Sequence, residues 1–219
     1  MRCSLTKLLL LSIILVAGGV AAEAATVTLK TPLDSTASAS AETNYGDLVA
    51  DAMRAAGGAD AAFVPATELR DVSLPVGDVD TGKLVGVLRA ASDPTDTVFT
   101  LHLTGDQVVE ALERSVSRAP GGYDGFLQVS GIQFTYNAAS TDSVRIRQVT
   151  IGGKLVSPQQ TYVIATSRML ADGSVGYFEV WRNTASPTDT GVAVSKALTD
   201  FSVAHAPIDY HVEGRILGQ

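Results

Sequence analysis

Residues 98–107 read as a β-strand that runs straight into a capped helix, and this junction constrains the fold more than any other stretch. Val98 to Leu103 alternates, with Phe99, Leu101 and Leu103 on one face. Thr104 and Gln107 then have the spacing of a capping box, in which each side chain satisfies an orphan backbone N–H at a helix start. The helix so opened runs to about Arg118, with Val108, Val109, Leu112 and Val116 inward and Arg114 and Arg118 at its C-terminal end. A strand feeding a helix must bury the apolar face of each against a shared core.

A second helix is expected from Asn44, read as the N-cap, to about Ala56. Tyr45, Leu48, Val49, Ala52, Met53 and Ala56 recur on one face, and Gly57-Gly58 stops it. Asp47 and Asp51 lie off that face, four residues apart, and read as a solvated helix surface. A short helix is expected near Lys83 to Leu88, and Val192 to Ala204 is helical by pattern, with Val194, Leu198, Phe201 and His205 on one face. Strand patterns fall at Thr26–Lys30, Ala61–Val64, Phe126–Asn137 with a break at Ser130-Gly131, Val144–Ile151, Tyr162–Thr166 and Ile208–Leu217. Residues 31–41, 121–125 and 173–176 read as loops. The expected class is α+β, with a mixed or antiparallel sheet and a few helices.

The N-terminus reads as an address. Arg2 and Lys7 precede an apolar run from Leu8 to Val20, and small residues follow, so residues 1–25 form an expected signal peptide and 26–219 a single domain. The other reading is an anchor, but the run is short of the roughly 20 residues a span needs. The single cysteine, Cys3, leaves with that segment, which excludes thiol catalysis in the mature chain. Cleavage also removes Arg2, Lys7 and Glu23, so the net charge moves from −7 to −8. An acidic chain has no basic surplus to displace phosphate counterions, so nucleic acid is not an expected partner. The expected location is exported, periplasmic or extracellular, with no membrane contact after cleavage.

Most motifs that carry chemistry are absent. There is no phosphate-binding loop, and Gly173-Ser-Val-Gly176 lacks the spacing of a nucleophile elbow. His102, His205 and His211 do not have metal-ligand spacing, and His102 sits on the polar side of its strand.

Four segments together resemble the C-terminal domain of the 5′-nucleotidase family. They are ETNYGDLVADAMR at 42–54, LTGDQVVEALE at 103–113 followed by GFLQVSGIQFTY at 125–136, YVIATSRMLADGSVGY at 162–177, and VEGRI at 212–216. In that family an N-terminal domain with two divalent metal ions hydrolyses phosphomonoesters in nucleotide catabolism. The C-terminal domain holds the nucleoside part of the substrate. The family's D-x-H, G-N-H-(D/E) and H-x-H metal motifs are not found in this sequence. The resemblance therefore implies a stand-alone specificity domain with no cofactor of its own. It implies binding rather than catalysis, a nucleoside or nucleotide ligand, and a separate metallophosphoesterase as a partner.

The resemblance also implies site residues. Two rings sandwich the base in the family. The first maps onto Phe126, which reads equally as a stacking ring or as core. The second maps onto Met169, which supplies no π-face. The preceding Asn is Arg168, and the acidic residue that accepts from ribose hydroxyls is Val175. Arg70 stands at the end of the family's G-G-G-I-R segment, available to an anion or to surface pairing with Glu68 or Asp71. Met169, Val175 and Tyr177 together imply a more apolar, re-lined pocket, which would suit an interaction module with no nucleotide ligand.

Overall fold

The structure, a computed structural model, describes residues 25–140 and 144–219. The expected signal segment therefore lies outside the described residues, apart from Ala25.

Among the described residues, thirteen strands and five helices follow in chain order. Strands β1 (Thr26–Leu29) and β2 (Leu33–Asp34) precede helix α1 (Asn44–Gly57), and β3 (Ala61–Pro65), β4 (Ser73–Leu74) and β5 (Gly77–Asp80) precede α2 (Thr81–Val85). Strand β6 (Thr97–Thr104) runs into α3 (Gly105–Ser115), and β7 (Leu127–Ser130), β8 (Ile132–Tyr136), β9 (Ile146–Ile151), β10 (Lys154–Leu155) and β11 (Thr161–Ser167) follow. Then come α4 (Arg168–Ala171), a 3-10 segment (Ser174–Glu179), β12 (Thr188–Ala193), α5 (Val194–Ala204) and β13 (Ile216–Gly218).

Five strands form the central sheet in the order β12-β6-β11-β3-β7, and β10-β9-β8-β13 form a second sheet. Both are mixed, because β11 pairs parallel with β3 and β13 parallel with β8 while their other pairings are antiparallel. Strand β3 is buried along its whole length, as its position between two partners requires. Its residues alternate between two cores: Phe63 joins Leu101, Leu103, Leu112, Phe134 and Tyr177, while Val64 joins Leu48, Met53, Val98 and Leu198. The sheet is thus covered by α1 and α5 on one face and by α3 and the second sheet on the other. The α+β class with mixed sheets is what the sequence led us to expect.

The capping box forms as expected: Thr104 Oγ1 accepts from Gln107 N at 3.3 Å, and Gln107 Oε1 accepts from Thr104 N at 2.9 Å. Helix α1 starts one residue earlier than read, because Thr43 is extended and its hydroxyl accepts from Gly46 N. That shift leaves the Asn44 amide free to donate to Pro32 O and Tyr210 O and to accept from Asp34 N.

The expected strand over 126–137 is two strands in different sheets. Gly131, at φ 72°, makes the corner, and a Cβ there would collide with Asp60 O. Residues Val192 and Ala193, read as helix, belong to β12, and the closing strand is confined to Ile216–Gly218. Helix α2 begins at Thr81, capped by Asp80, rather than near Lys83. His205 is exposed at the end of α5 and stacks on Phe201 instead of facing the core.

Candidate functional site

The solvated reading of Asp47 and Asp51 is wrong. Asp47 is 0 % exposed, and Asp51 is half-buried beneath the C-terminal tail. The tail is tied down by Glu42, whose carboxylate accepts from Glu213 N at 2.7 Å, Gly214 N at 3.1 Å and Ile216 N at 2.9 Å. Arg215 then grips Asp51 with two bonds of 2.8 and 3.0 Å, and Tyr210 donates to the same carboxylate at 2.8 Å. Burial alone would raise Asp51, but bonds from Arg215 and Ser130 outweigh it and hold the carboxyl below its ordinary value.

Asp47 is the odd member. Neither of its oxygens accepts a hydrogen bond, and Arg215 Nε lies 3.6 Å away. Burial pushes its carboxyl up to about 9, against the pull of Arg215 and helped by Glu42 and Asp51. A proton on Asp47 gives it a bond to donate to Glu42. This network is scaffold: it is closed over, and it fixes the tail rather than offering a face to a ligand.

The sequence-expected site residues separate in the structure. Phe126 is 2 % exposed and belongs to the core, and Tyr177 is 0 % exposed, stacked on Trp181 with its hydroxyl donating to Gly125 O at 2.7 Å. Of the two readings of Phe126, its burial fits the core. Arg70 is exposed and donates to Arg89 O at 3.2 Å rather than pairing with Glu68 or Asp71. Arg168 and Met169 come together in a groove of about 260 Å³, facing Ala90, Asp93, Thr95 and Asp96, with Asp172 alongside.

Both walls of that groove have local causes. One wall is the turn at 90–96, where Asp93 accepts from Thr95 N at 2.8 Å and from its hydroxyl at 2.7 Å. The other is the single turn of α4, whose start is capped by Ser167 Oγ accepting from Leu170 N at 3.2 Å. Glu68 joins them: its backbone carbonyl accepts from Arg89 N at 2.9 Å, next to Ala90, and its carboxylate accepts from the Ser167 hydroxyl. Burial pushes the Glu68 carboxyl up to about 8, against the Ser167 bond and helped by Asp96. Asp96 is itself raised by burial and then by Asp93. Sequence reasoning gave Glu68 and the 90–96 turn no part in a site, because Glu68 follows β3, the turn precedes β6, and these strands are brought together by β11 between them.

Met169 is 38 % exposed at the rim. Arg168 lies 3.6 Å from Asp172 and sits over the Phe99 ring at 5.8 Å. Val175 does not join them. It has φ 48°, the one positive value outside glycine among the described residues. Its carbonyl accepts from Arg114 Nε at 3.0 Å, Arg114 Nη2 at 2.6 Å and the Tyr123 hydroxyl at 2.6 Å. Gly176 follows at φ 82°, where a Cβ would collide with Arg114 Nη2, so the loop closes on that guanidinium only with glycine there. A second cavity of about 400 Å³ lies beside this clamp, but Arg114 is spent on Val175 and Arg118 stacks on Tyr123 at 5.0 Å.

A pair of metal ions does not fit the described residues, which contain no group of three or more His, Cys, Asp or Glu placed to hold one. His102 is exposed on β6, His205 sits against Phe201, and His211 pairs with Asp209 at 3.3 Å. No helix among the described residues is long and apolar enough to cross a membrane.

Known proteins are similar to this chain in sequence and in fold. The trifunctional nucleotide phosphoesterase protein YfkN of Bacillus subtilis (strain 168) is 30% identical over 185 residues, which cover 80% of this chain and 12% of that protein. Protein UshA of Salmonella pullorum is 26% identical over 170 residues, covering 77% of this chain and 28% of that one. The chain spans less than a third of the length of the curated relatives it matches. In fold it is similar to a 5′-nucleotidase precursor from Thermus thermophilus, with a TM-score of 0.78, 23% identity, and coverage of 88% of this chain and 39% of that one. It is also similar to the NAD nucleotidase of Haemophilus influenzae, with a TM-score of 0.73, 16% identity, and coverage of 88% and 37%. The family model described as 5′-nucleotidase, C-terminal domain, matches residues 19–181, and the chain belongs to that family.

Proposed function

We propose that this chain is a substrate-binding module that takes a nucleoside-type ligand in the groove between residues 90–96 and 168–172. The observation that carries this reading is the position of Arg168 and Met169. They lie in the segment that resembles the family's base-contacting stretch, and they line a groove instead of packing into the core. The residues of this chain bind and orient, and hydrolysis belongs to a separate metal-bearing domain whose two metals would activate water. Export through the first 25 residues, with 26–219 as the mature domain, is part of the same proposal. So is a periplasmic or extracellular location.

Calorimetry tests the binding. Adenosine is expected to saturate the protein with a dissociation constant no weaker than about 1 mM. Met169→Ala is expected to weaken it several-fold, because the thioether is the apolar cover at the rim. The pure protein with added Mn²⁺ or Zn²⁺ is expected to release no phosphate from AMP. No heat with adenosine or guanosine at millimolar concentration would leave the scaffold without this ligand. Metal-dependent turnover by the pure chain would overturn the division of labour. A re-lined interaction module is the second reading, favoured by Val175: its side chain supplies no acceptor where the resemblance implies a carboxylate.

A further inference from the structure

We propose that the groove at 90–96 and 168–172 selects by charge at the nucleoside end of its ligand: on its own it favours neutral or cationic nucleosides over those that carry phosphate, and the phosphate charge is left to the metal-bearing unit. This rests on the proposed function above and names the ligand class of the same site.

The lining contains three carboxylates, Asp93, Asp96 and Asp172, against one guanidinium, Arg168. That guanidinium is already committed. Its Nε lies 3.6 Å from Asp172 and its face covers Phe99. Asp189, across the same arginine, is held low by Gly191 N–H first, then by Thr97 and by Arg168. One cation thus faces acids on two sides, and the lining keeps a net negative charge. The arginines of the adjoining segment, Arg70 and Arg89, are exposed and do not line the groove.

Asp96 already resists ionisation because of burial and Asp93, so a phosphate dianion would add to an existing crowding of negative charge. A ring bearing positive charge would relieve it. The whole chain, at −7, acts with the same sign at longer range. The groove's volume of about 260 Å³ lies just below the roughly 300 Å³ at which small-molecule sites begin, which suits a single nucleoside rather than a larger nucleotide.

The test compares four ligands by calorimetry at low salt: AMP against adenosine, and the cationic 7-methylguanosine against guanosine. AMP is expected to bind about fivefold weaker than adenosine, the scale of one like-charge contact at an exposed site. The methylated guanosine is expected to bind tighter than guanosine. Raising salt to about 0.5 M is expected to shrink both differences, because the lining is open to counterions. The variant Asp93→Asn/Asp96→Asn keeps the oxygen that holds Thr95, so the turn is retained, and circular dichroism checks that the fold is unchanged. In that variant AMP and adenosine are expected to bind within a factor of about two of each other.

AMP binding as tightly as adenosine to the unaltered protein would overturn the inference, and so would an unchanged ratio in the double variant. In both cases the ligands still bind, and the proposed function stands. If none of the four ligands binds, the proposed function falls and takes this inference with it.

Discussion

Two acid-rich regions of the molecule use the same side chain for opposite ends. Around Arg215, the carboxylates of Glu42, Asp47 and Asp51 are enclosed, and two of them are bonded to backbone N–H groups or to guanidinium nitrogens. At the groove, Asp93 and Asp172 are exposed and Asp96 is half-buried, with Arg168 shared among neighbours. Burial decides the difference. An enclosed carboxylate must be matched inside the protein or neutralised by a proton, whereas an open one is matched by water and stays available to a ligand.

The largest expected effect lies in the enclosed region. Arg215→Ala removes the guanidinium that pairs with both Asp47 and Asp51, and also loses its bond to Val129 O. We expect about 3–5 kcal/mol of lost stability in urea unfolding, the usual cost of leaving buried charges uncompensated. A loss below about 1 kcal/mol would break the comparison, because the network would then be as dispensable as a surface pair.

Asp47→Asn is expected to act in the other direction. The folded chain holds the Asp47 proton up to about pH 9, whereas the unfolded chain releases it near the ordinary 3.8. Between those values the folded state binds more protons, so the stability of the unaltered protein falls as pH rises, and it levels off above about 9. The amide never ionises and can donate to Glu42. The variant should therefore gain more than about 2 kcal/mol near pH 8 and little near pH 4, read from urea unfolding at both values. A gain that does not depend on pH would mean Asp47 is not the proton holder.

Much of this was legible in the sequence, and the exceptions share a cause. The capping box at Thr104, the helix stripe at Tyr45 to Met53 and the apolar runs at β3 and β11 are local patterns, and each formed as read. What the sequence hid were meetings between distant segments. Asp47 and Asp51 sit on the polar side of their helix, and the Arg215 that covers them lies 164 residues beyond Asp51. Gln128, in a stretch read for its neighbouring Phe126, is wholly buried, where it accepts from Thr43 N and donates to Ser38 O and Ala41 O. The resemblance led to Arg168 and Met169, which do line one groove. It could not show that Phe126 and Tyr177 face inward, because an aromatic ring serves a core and a base equally well.

Glu68 sharpens the comparison, because it is a half-buried acid that supports the open site. Glu68→Ala is expected to cost about 1–2 kcal/mol in unfolding and to weaken adenosine several-fold, since it ties Ser167 to the segment beside Ala90. An affinity loss without any stability loss would make it a ligand contact rather than a tie.

The smallest effect is expected in the groove itself. Asp93→Asn/Asp96→Asn should change unfolding stability by no more than about 1 kcal/mol at neutral pH, since Asp93 is exposed and Asp96 only half-buried. A larger loss would make these acids part of the scaffold.

Which surface receives the ligand is the central question, and backbone amide shifts measured during an adenosine titration answer it most directly. The expected result is saturable shifts confined to residues 90–96 and 168–172, with the amides of 42–54 and 213–216 unmoved. Shifts centred instead on the Arg114, Arg118 and Tyr123 cavity, or no shifts at millimolar adenosine, would contradict it.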